Sequence, residues 1–339
     1  MRALRLTAPG TTELIDLPDP TPGAGEVLLR VRLIGFCGTD LNSFRGRNPL
    51  ISYPRIPGHE IAASIVEVGA RVPAHLQPGM DVAVSPYNNC GACPACLRRR
   101  PNACRSNHTL GVQQDGALAE YLVVAWQKLL LGPGLSLREL CLVEPLTVGF
   151  HAAARGRVMA EDMVAVLGCG AIGLGAIAGA AHRGATVIAI DVDAGKLALA
   201  HQVGAAHMID SQHESLHDRL QTLTNGRGPD VVIEAIGLPE TYRSAVEEVG
   251  FTGRVVYIGY AKQPVSYETK LFVLKELDLL GARNATMEDF AAVIQMLQQG
   301  RFPVDAAISK VVPLEEAGAV LAAWDAHPES FTKIHVAVG

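Results

Sequence analysis

Four cysteines, Cys90, Cys93, Cys96 and Cys104, stand in a C-x2-C-x2-C-x7-C run. Thiolates at that spacing can turn back onto one centre and supply the closed tetrahedral shell that zinc takes in structural sites. A disulfide pair or a redox motif is the competing reading. It is disfavoured because three sulfurs at two-residue spacing compete for one partner, and because the N-terminal Met1-Arg2-Ala3-Leu4-Arg5-Leu6 has no apolar secretory core. The spacing therefore favours structural zinc in a cytoplasmic chain whose other thiols stay reduced.

A second constellation is Gly168-Cys169-Gly170-Ala171-Ile172-Gly173, a G-x-G-x-x-G that follows an apolar run and opens a helical pattern. The first glycine permits a tight turn, the second lets backbone approach a pyrophosphate, and the third lets helix and strand pack closely. The helix N-terminus then meets the phosphate charge. The next apolar run ends at Asp191, where a carboxylate accepts the adenosine ribose hydroxyls and repels a 2'-phosphate. Val192 follows, where an arginine would have accommodated that phosphate, so NAD is favoured over NADP. Lys196 and Asp193 belong either beside the same ribose or on an exposed helix face, and Cys169 reads as a small loop filler.

These motifs need elements to carry them. A chain of 339 residues, 49% hydrophobic and 19% charged, makes two buried globular domains rather than one. Its net charge of -5 offers no basic field for a nucleic-acid backbone, and the arginines at 98, 99, 100 and 105 read as a solvated face. Short alternating apolar runs broken by Pro/Gly turns make the first part β-rich. From about Gly149 the rhythm becomes strands at 164–167, 186–190, 231–235, 254–258 and 277–280 with helical stretches between, which predicts a parallel sheet with helices on both faces. Helices at 287–299 and 314–323 and a strand at 334–337 follow. Residues 163–181 carry no charge and are long enough to span a membrane, but five glycines there argue for a strand, turn and buried helix instead.

Cys37-Gly38-Thr39-Asp40, Gly58-His59-Glu60 and Glu144-Pro145-Leu146 are each ambiguous alone. In order, with the four cysteines, the glycine turn and Asp191, they resemble the medium-chain, zinc-dependent alcohol and polyol dehydrogenases over essentially the whole length. The resemblance implies an α/β protein: a β-rich GroES-like catalytic domain at 1–148, a doubly wound parallel-sheet Rossmann domain binding NAD at 149–283, and a return to the catalytic domain at 284–339. It implies a catalytic zinc on Cys37, His59 and Glu144, with Glu60 as fourth ligand or in exchange with water, and hence two zinc ions per subunit. An open position on that metal lowers the pKa of a substrate hydroxyl, and the carbinol hydride passes to NAD. Thr39 would take the proton. Where many relatives have an outer-relay histidine this chain has Asn42, so the proton is expected to leave through water or Glu60, with Asn42 binding substrate or cofactor. Gly168, Gly170, Ala171, Ile172, Gly173, Asp191, Lys196, Ile236, Gly237 and Gly259 are assigned to the cofactor.

Glutamate at position 144 is similar to the sorbitol, threonine and sugar-acid branch. Arg45, Arg47 and Arg283 suit bidentate capture of a carboxylate, so the expected substrate is a small molecule, an aldonate such as galactonate or idonate. The contrary reading leaves Arg45 and Arg47 solvated and Arg283 on the pyrophosphate. The rival functions are a neutral polyol or threonine dehydrogenase, a non-catalytic NAD(H)- or zinc-binding protein of the same fold, and a zinc-ribbon nucleic-acid binder that the acidic charge opposes. Relatives also imply a homo-dimer or homo-tetramer, with no membrane and no nucleic-acid partner.

Overall fold

The computed structural model describes residues 1–339. The chain forms two compact units, Met1–Glu144 with Val304–Gly339, and Pro145–Pro303. The chain passes between them inside one helix, Leu137–Arg155, which carries Pro145 in its interior. The return to the first unit begins at Val304 rather than at 284. The helix Met287–Gln298 belongs to the second unit because its buried stripe, including Phe290, Val293 and Met296, and its Asp289–His151 pair lie among residues of that unit.

In the first unit the 11-residue strand Glu26–Phe36 is the hub of a seven-stranded sheet. It pairs antiparallel with Glu60–Val68, Tyr121–Ala125 and Ile334–Ala337. Alternation places Val27, Leu29 and Val31 in the core with Ile61, Ile65, Ile334 and Val336. The final strand, Ile334–Ala337, falls where its apolar run predicted it. Neighbouring registers set Gly35 opposite both His335 and Glu60, so three strands bring residues far apart in sequence into one row.

The second unit is a six-stranded parallel sheet. In chain order its strands are β1 (Met163–Leu167), β2 (Thr186–Asp191), β3 (His207–Asp210), β4 (Val231–Glu234), β5 (Arg254–Tyr257) and β6 (Asp278–Gly281). Their spatial order is β3-β2-β1-β4-β5-β6, the doubly wound order that reverses between β1 and β4. Five strands follow the predicted apolar runs to within two residues. β3 was not predicted: it is a four-residue edge strand with Ile209 as its only fully buried side chain, too short to print an apolar period. Residues 163–181 resolve into β1, a turn and most of the helix Ala171–His182. No helix of the chain is long and apolar enough to cross a membrane.

Candidate active site

The strand Glu26–Phe36 ends at Cys37, which caps the helix Gly38–Phe44. His59 lies just ahead of the strand Glu60–Val68. Donor atoms of Cys37, His59 and Glu60 come within 4.8 Å of one another, His59 and Glu60 being buried. Asp40, which is 1% exposed, binds both loops. It accepts from the Cys37 N–H at 2.9 Å and from the Gly58 N–H at 3.4 Å, and its Oδ1 lies 3.7 Å from His59 Nδ1. The Thr39 hydroxyl sits 3.7 Å from Cys37 Sγ.

Behind this cluster Glu60 is held in a pocket made for it. A Cβ on Gly35 would lie 1.9 Å from Glu60 Oε2, so only glycine leaves room for the carboxylate. Lys333, just ahead of the strand Ile334–Ala337, donates to both oxygens at 2.7 and 2.8 Å and to the Phe36 carbonyl at 3.2 Å. Burial would lower the Lys333 pKa, but Glu60 and Cys37 outweigh it and raise it, so the ammonium persists. Glu144 lies outside the 4.8 Å cluster and accepts a hydrogen bond from the Tyr87 hydroxyl. Burial first, and Glu144 next, push the Tyr87 pKa up, which keeps that hydroxyl a donor. Burial is also the main cause that raises the Glu144 pKa.

Asp40, Glu60 and Glu144 are all buried here beside a thiol, with the Lys333 ammonium against them. Burial opposes a charge on His59, yet Asp40, Cys37 and Glu144 raise its pKa well above the ordinary value, and its Nδ1 has no hydrogen-bond partner. An excess of buried anionic donors around an orphaned imidazole nitrogen fits a divalent cation.

The cysteine lobe fits one more strictly. Cys93 Sγ lies 3.6 Å from Cys96 Sγ and 3.8 Å from Cys104 Sγ, and Cys104 Sγ lies 3.6 Å from Cys90 Sγ. A tetrahedron of Zn–S bonds of about 2.3 Å has edges of about 3.8 Å, whereas a disulfide needs about 2.0 Å. All four are free thiols. Backbone N–H groups of Cys96 and Arg105 lower the Cys93 thiol to about 6. Desolvation and the neighbouring thiols push Cys96 up to about 12, so Cys93 and Cys96 do not ionise together near neutral pH without a cation.

In the second unit the turn after β1 leads into the helix Ala171–His182 with Gly170 as its N-cap. A Cβ on Gly173 would lie 1.8 Å from the Gly168 carbonyl oxygen, and one on Gly170 would meet nothing within 4 Å. The first contact demonstrates the close packing; the second leaves open space at a helix N-terminus for a phosphate. Asp191, at the end of β2, accepts from the Cys169 N–H at 2.7 Å and from the Val192 and Asp193 N–H groups at 2.8 and 3.1 Å. Those bonds fix the carboxylate at the turn and leave lone pairs for ribose hydroxyls. Asp193 is the helix cap, accepting from Lys196 N–H at 2.9 Å, and Lys196 is half-buried in that first turn. Cys169 is buried, and desolvation pushes its thiol up to about 12, which suits an inert filler. Ile236 and Gly237 follow β4 and Gly259 follows β5.

Residues 23–134 match the family model for the alcohol dehydrogenase GroES-like domain, and 171–299 that for zinc-binding dehydrogenase. The chain belongs to the zinc-dependent medium-chain alcohol and polyol dehydrogenases. It is 34% identical to the L-galactonate-5-dehydrogenase of Escherichia coli over 87% of this chain and 86% of that one. It is 31% identical to the sorbitol dehydrogenase of Halalkalibacterium halodurans over 88% and 89%. The rspB alcohol dehydrogenase of E. coli, solved with NADH, superposes with a TM-score of 0.92 at 28% identity, covering 100% of this chain and 99% of that one.

The arginines assigned to substrate in this dehydrogenase differ in their surroundings. Arg45 is committed elsewhere: its guanidinium pairs with the Asp325 carboxylate and donates to the Asp325 carbonyl at 3.2 Å. Arg47 is exposed in the first unit and Arg283 is exposed in the second, just past β6. Asn42 lies half-buried in the helix Gly38–Phe44, its carbonyl accepting from the Arg47 N–H. Sequence reasoning missed Tyr87 and Lys333, and gave Asp40 no role. The available signal for Lys333 was a lone cation opening the apolar run 334–337.

Proposed function

We propose that this dehydrogenase oxidises a secondary alcohol of a sugar acid, an aldonate such as galactonate or idonate, to the keto acid with reduction of NAD. The observation that carries the catalytic part is the Cys37–His59–Glu60 cluster, its histidine and carboxylate buried, with its surplus of negative groups. Zinc held by Cys37, His59 and Glu144 would supply the Lewis acidity that lowers the pKa of a substrate hydroxyl, and NAD the acceptor of the carbinol hydride. Tyr87 occupies one Glu144 oxygen and so orients the carboxylate. Asp40 fixes the two loops that carry Cys37 and His59.

Thr39, beside Cys37, takes the hydroxyl proton. Glu60 has both oxygens on Lys333 and is wholly buried. It is poorly placed to carry that proton to solvent, so water is the onward route and Asn42 is left to bind substrate or cofactor. With both oxygens held by Lys333, Glu60 would add negative charge beside a zinc on Cys37, His59 and Glu144, and water would be the exchangeable ligand. In the second unit the turn Gly168–Gly173 receives the pyrophosphate and Asp191 the adenosine ribose, with Lys196 beside it. The Asp191 charge selects NAD.

Arg47 and Arg283 are the arginines assigned to a substrate carboxylate in this reading, and the similarity to L-galactonate-5-dehydrogenase supports that chemistry. A neutral polyol is the second reading, favoured by one observation: the Arg45–Asp325 pair removes one of the three arginines. NADH formation across aldonates, neutral polyols, threonine and simple alcohols separates the two. Turnover confined to aldonates, with discrimination lost in Arg47→Ala or Arg283→Ala, supports the first; turnover only on uncharged alcohols supports the second. The enzyme is further proposed to be cytoplasmic and a homo-dimer or homo-tetramer. Strand β6 pairs only with β5, and Leu279 on it and nearby Val273 and Leu274 are exposed, an apolar edge that a second copy would cover.

A further inference from the structure

The end of β4 carries a buried carboxylate that the reaction does not use. Glu234 is 0% exposed. Its Oε1 accepts three hydrogen bonds, from the Ile236 N–H at 2.9 Å, the Gly237 N–H at 2.7 Å and the Thr241 hydroxyl at 2.7 Å. Its Oε2 has no partner and faces the loop after β5: a Cβ on Gly259 would lie 2.6 Å from that oxygen and 2.4 Å from the Gly237 N. Gly237 in turn is packed on Tyr260, its added Cβ falling 2.9 Å from the Tyr260 N and O, at a φ of +87°. The Tyr242 hydroxyl donates to the Gly259 carbonyl. One carboxylate thus sets the loop after β4, and that loop and the carboxylate together set the loop after β5.

The sheet order says what lies over these loops. Ligands of an open parallel sheet bind beyond the carboxyl ends of the strands where the order reverses, here between β1 and β4. The turn after β1 and Asp191 at the end of β2 take the pyrophosphate and adenosine ribose on one side of that point. The remaining half of a dinucleotide must run to the other side, over the ends of β4 and β5.

We propose that Glu234 is a positioning residue for the nicotinamide half of the cofactor, acting through the Ile236–Gly237 and Gly259 loops and not by touching it. The inference rests on the NAD reading above. The measurements are dissociation constants of the zinc-loaded full chain for NADH, by fluorescence, and for ADP-ribose, by calorimetry, in wild type, Glu234→Gln, Glu234→Ala and Thr241→Val. Glu234→Ala should weaken NADH by about tenfold or more, the consequence of losing a hydrogen bond to a charged group, and leave ADP-ribose within about twofold. Glu234→Gln keeps one acceptor oxygen without the charge and should be affected less. Thr241→Val removes one of the three donors, keeps the carboxylate, and should shift the same ratio in the same direction by a smaller factor. A ratio that stays at the wild-type value in Thr241→Val and in whichever Glu234 variant folds would overturn the inference while leaving NAD binding intact. Failure of wild type to bind ADP-ribose would overturn the cofactor reading and the inference with it.

Discussion

Replacing Lys333 by methionine keeps the length of the apolar stem and removes the ammonium that both oxygens of Glu60 accept from. The pair has side-chain exposures of 5% and 0%. Removing one partner of such a buried pair costs about 3–5 kcal/mol, because the other charge is left uncompensated. In the metal-free protein the His59 imidazole is the remaining cation beside Glu60, and Asp40, Cys37 and Glu144 share its charge. With the catalytic site loaded, a divalent ion bound by Cys37 and His59 sits close to the same carboxylate, since the three donor sets lie within 4.8 Å. The loss should then fall to less than half. By linkage, the variant must hold that metal more tightly by the difference, about 2 kcal/mol or some 30-fold. Trp126 and Trp324 are the protein's two tryptophans and both belong to the first unit, so urea unfolding followed by tryptophan fluorescence reports on the unit concerned. The assay compares wild type and Lys333→Met, stripped of metal and zinc-loaded; the cysteine lobe is common to both proteins and cancels. A loss of equal size with and without metal, or a metal-free loss below about 1 kcal/mol, would refute the placement of Glu60 beside the ion.

Acid sensitivity has an identifiable source in the same unit. His335 is fully buried with no partner on either ring nitrogen, and burial, with Lys333 and Arg138, pushes it down to about 3 from 6.5. The unfolded chain therefore binds the extra proton between those values and the folded one does not, so stability is lost as pH falls through that window. Between pH 7 and 4 wild type should lose roughly 3 kcal/mol more than His335→Leu in urea titrations; parallel curves for the two proteins would contradict this. Thr39→Ala should lower turnover by about two orders of magnitude, as for a positioned proton-transfer group, with NADH binding unchanged. Wild-type turnover in that variant would remove Thr39 from the reaction.

What was legible in the sequence follows from how local the cause is. The four cysteines and the glycine turn are short-range devices, and their spacing alone carries them into the sulfur distances and the packing of Gly173 on Gly168. Strands β1, β2, β4, β5 and β6 announce themselves as apolar runs bounded by turns, and β3, with one buried side chain, does not. Glu60–Lys333 and Tyr87–Glu144 join residues 273 and 57 positions apart, and a charged or phenolic side chain gives no local sign that a distant strand will bury it with a partner. Arg45 shows the converse: its residue type suited a carboxylate ligand, but the carboxylate it met was Asp325, 280 residues away. The division of the C-terminal region was hidden for the same reason, because an amphipathic helix such as Met287–Gln298 records that it packs and not against which unit.

Zinc content and NADH formation measured together on wild type and Cys37→Ser test the assignment of the reaction to the Cys37–His59–Glu60 cluster most directly. Wild type should carry two zinc ions per chain. The variant should keep the ion in the cysteine lobe, lose the other, and lose turnover on every alcohol that wild type oxidises. A variant that retains two ions and turns over within about tenfold of wild type would contradict it.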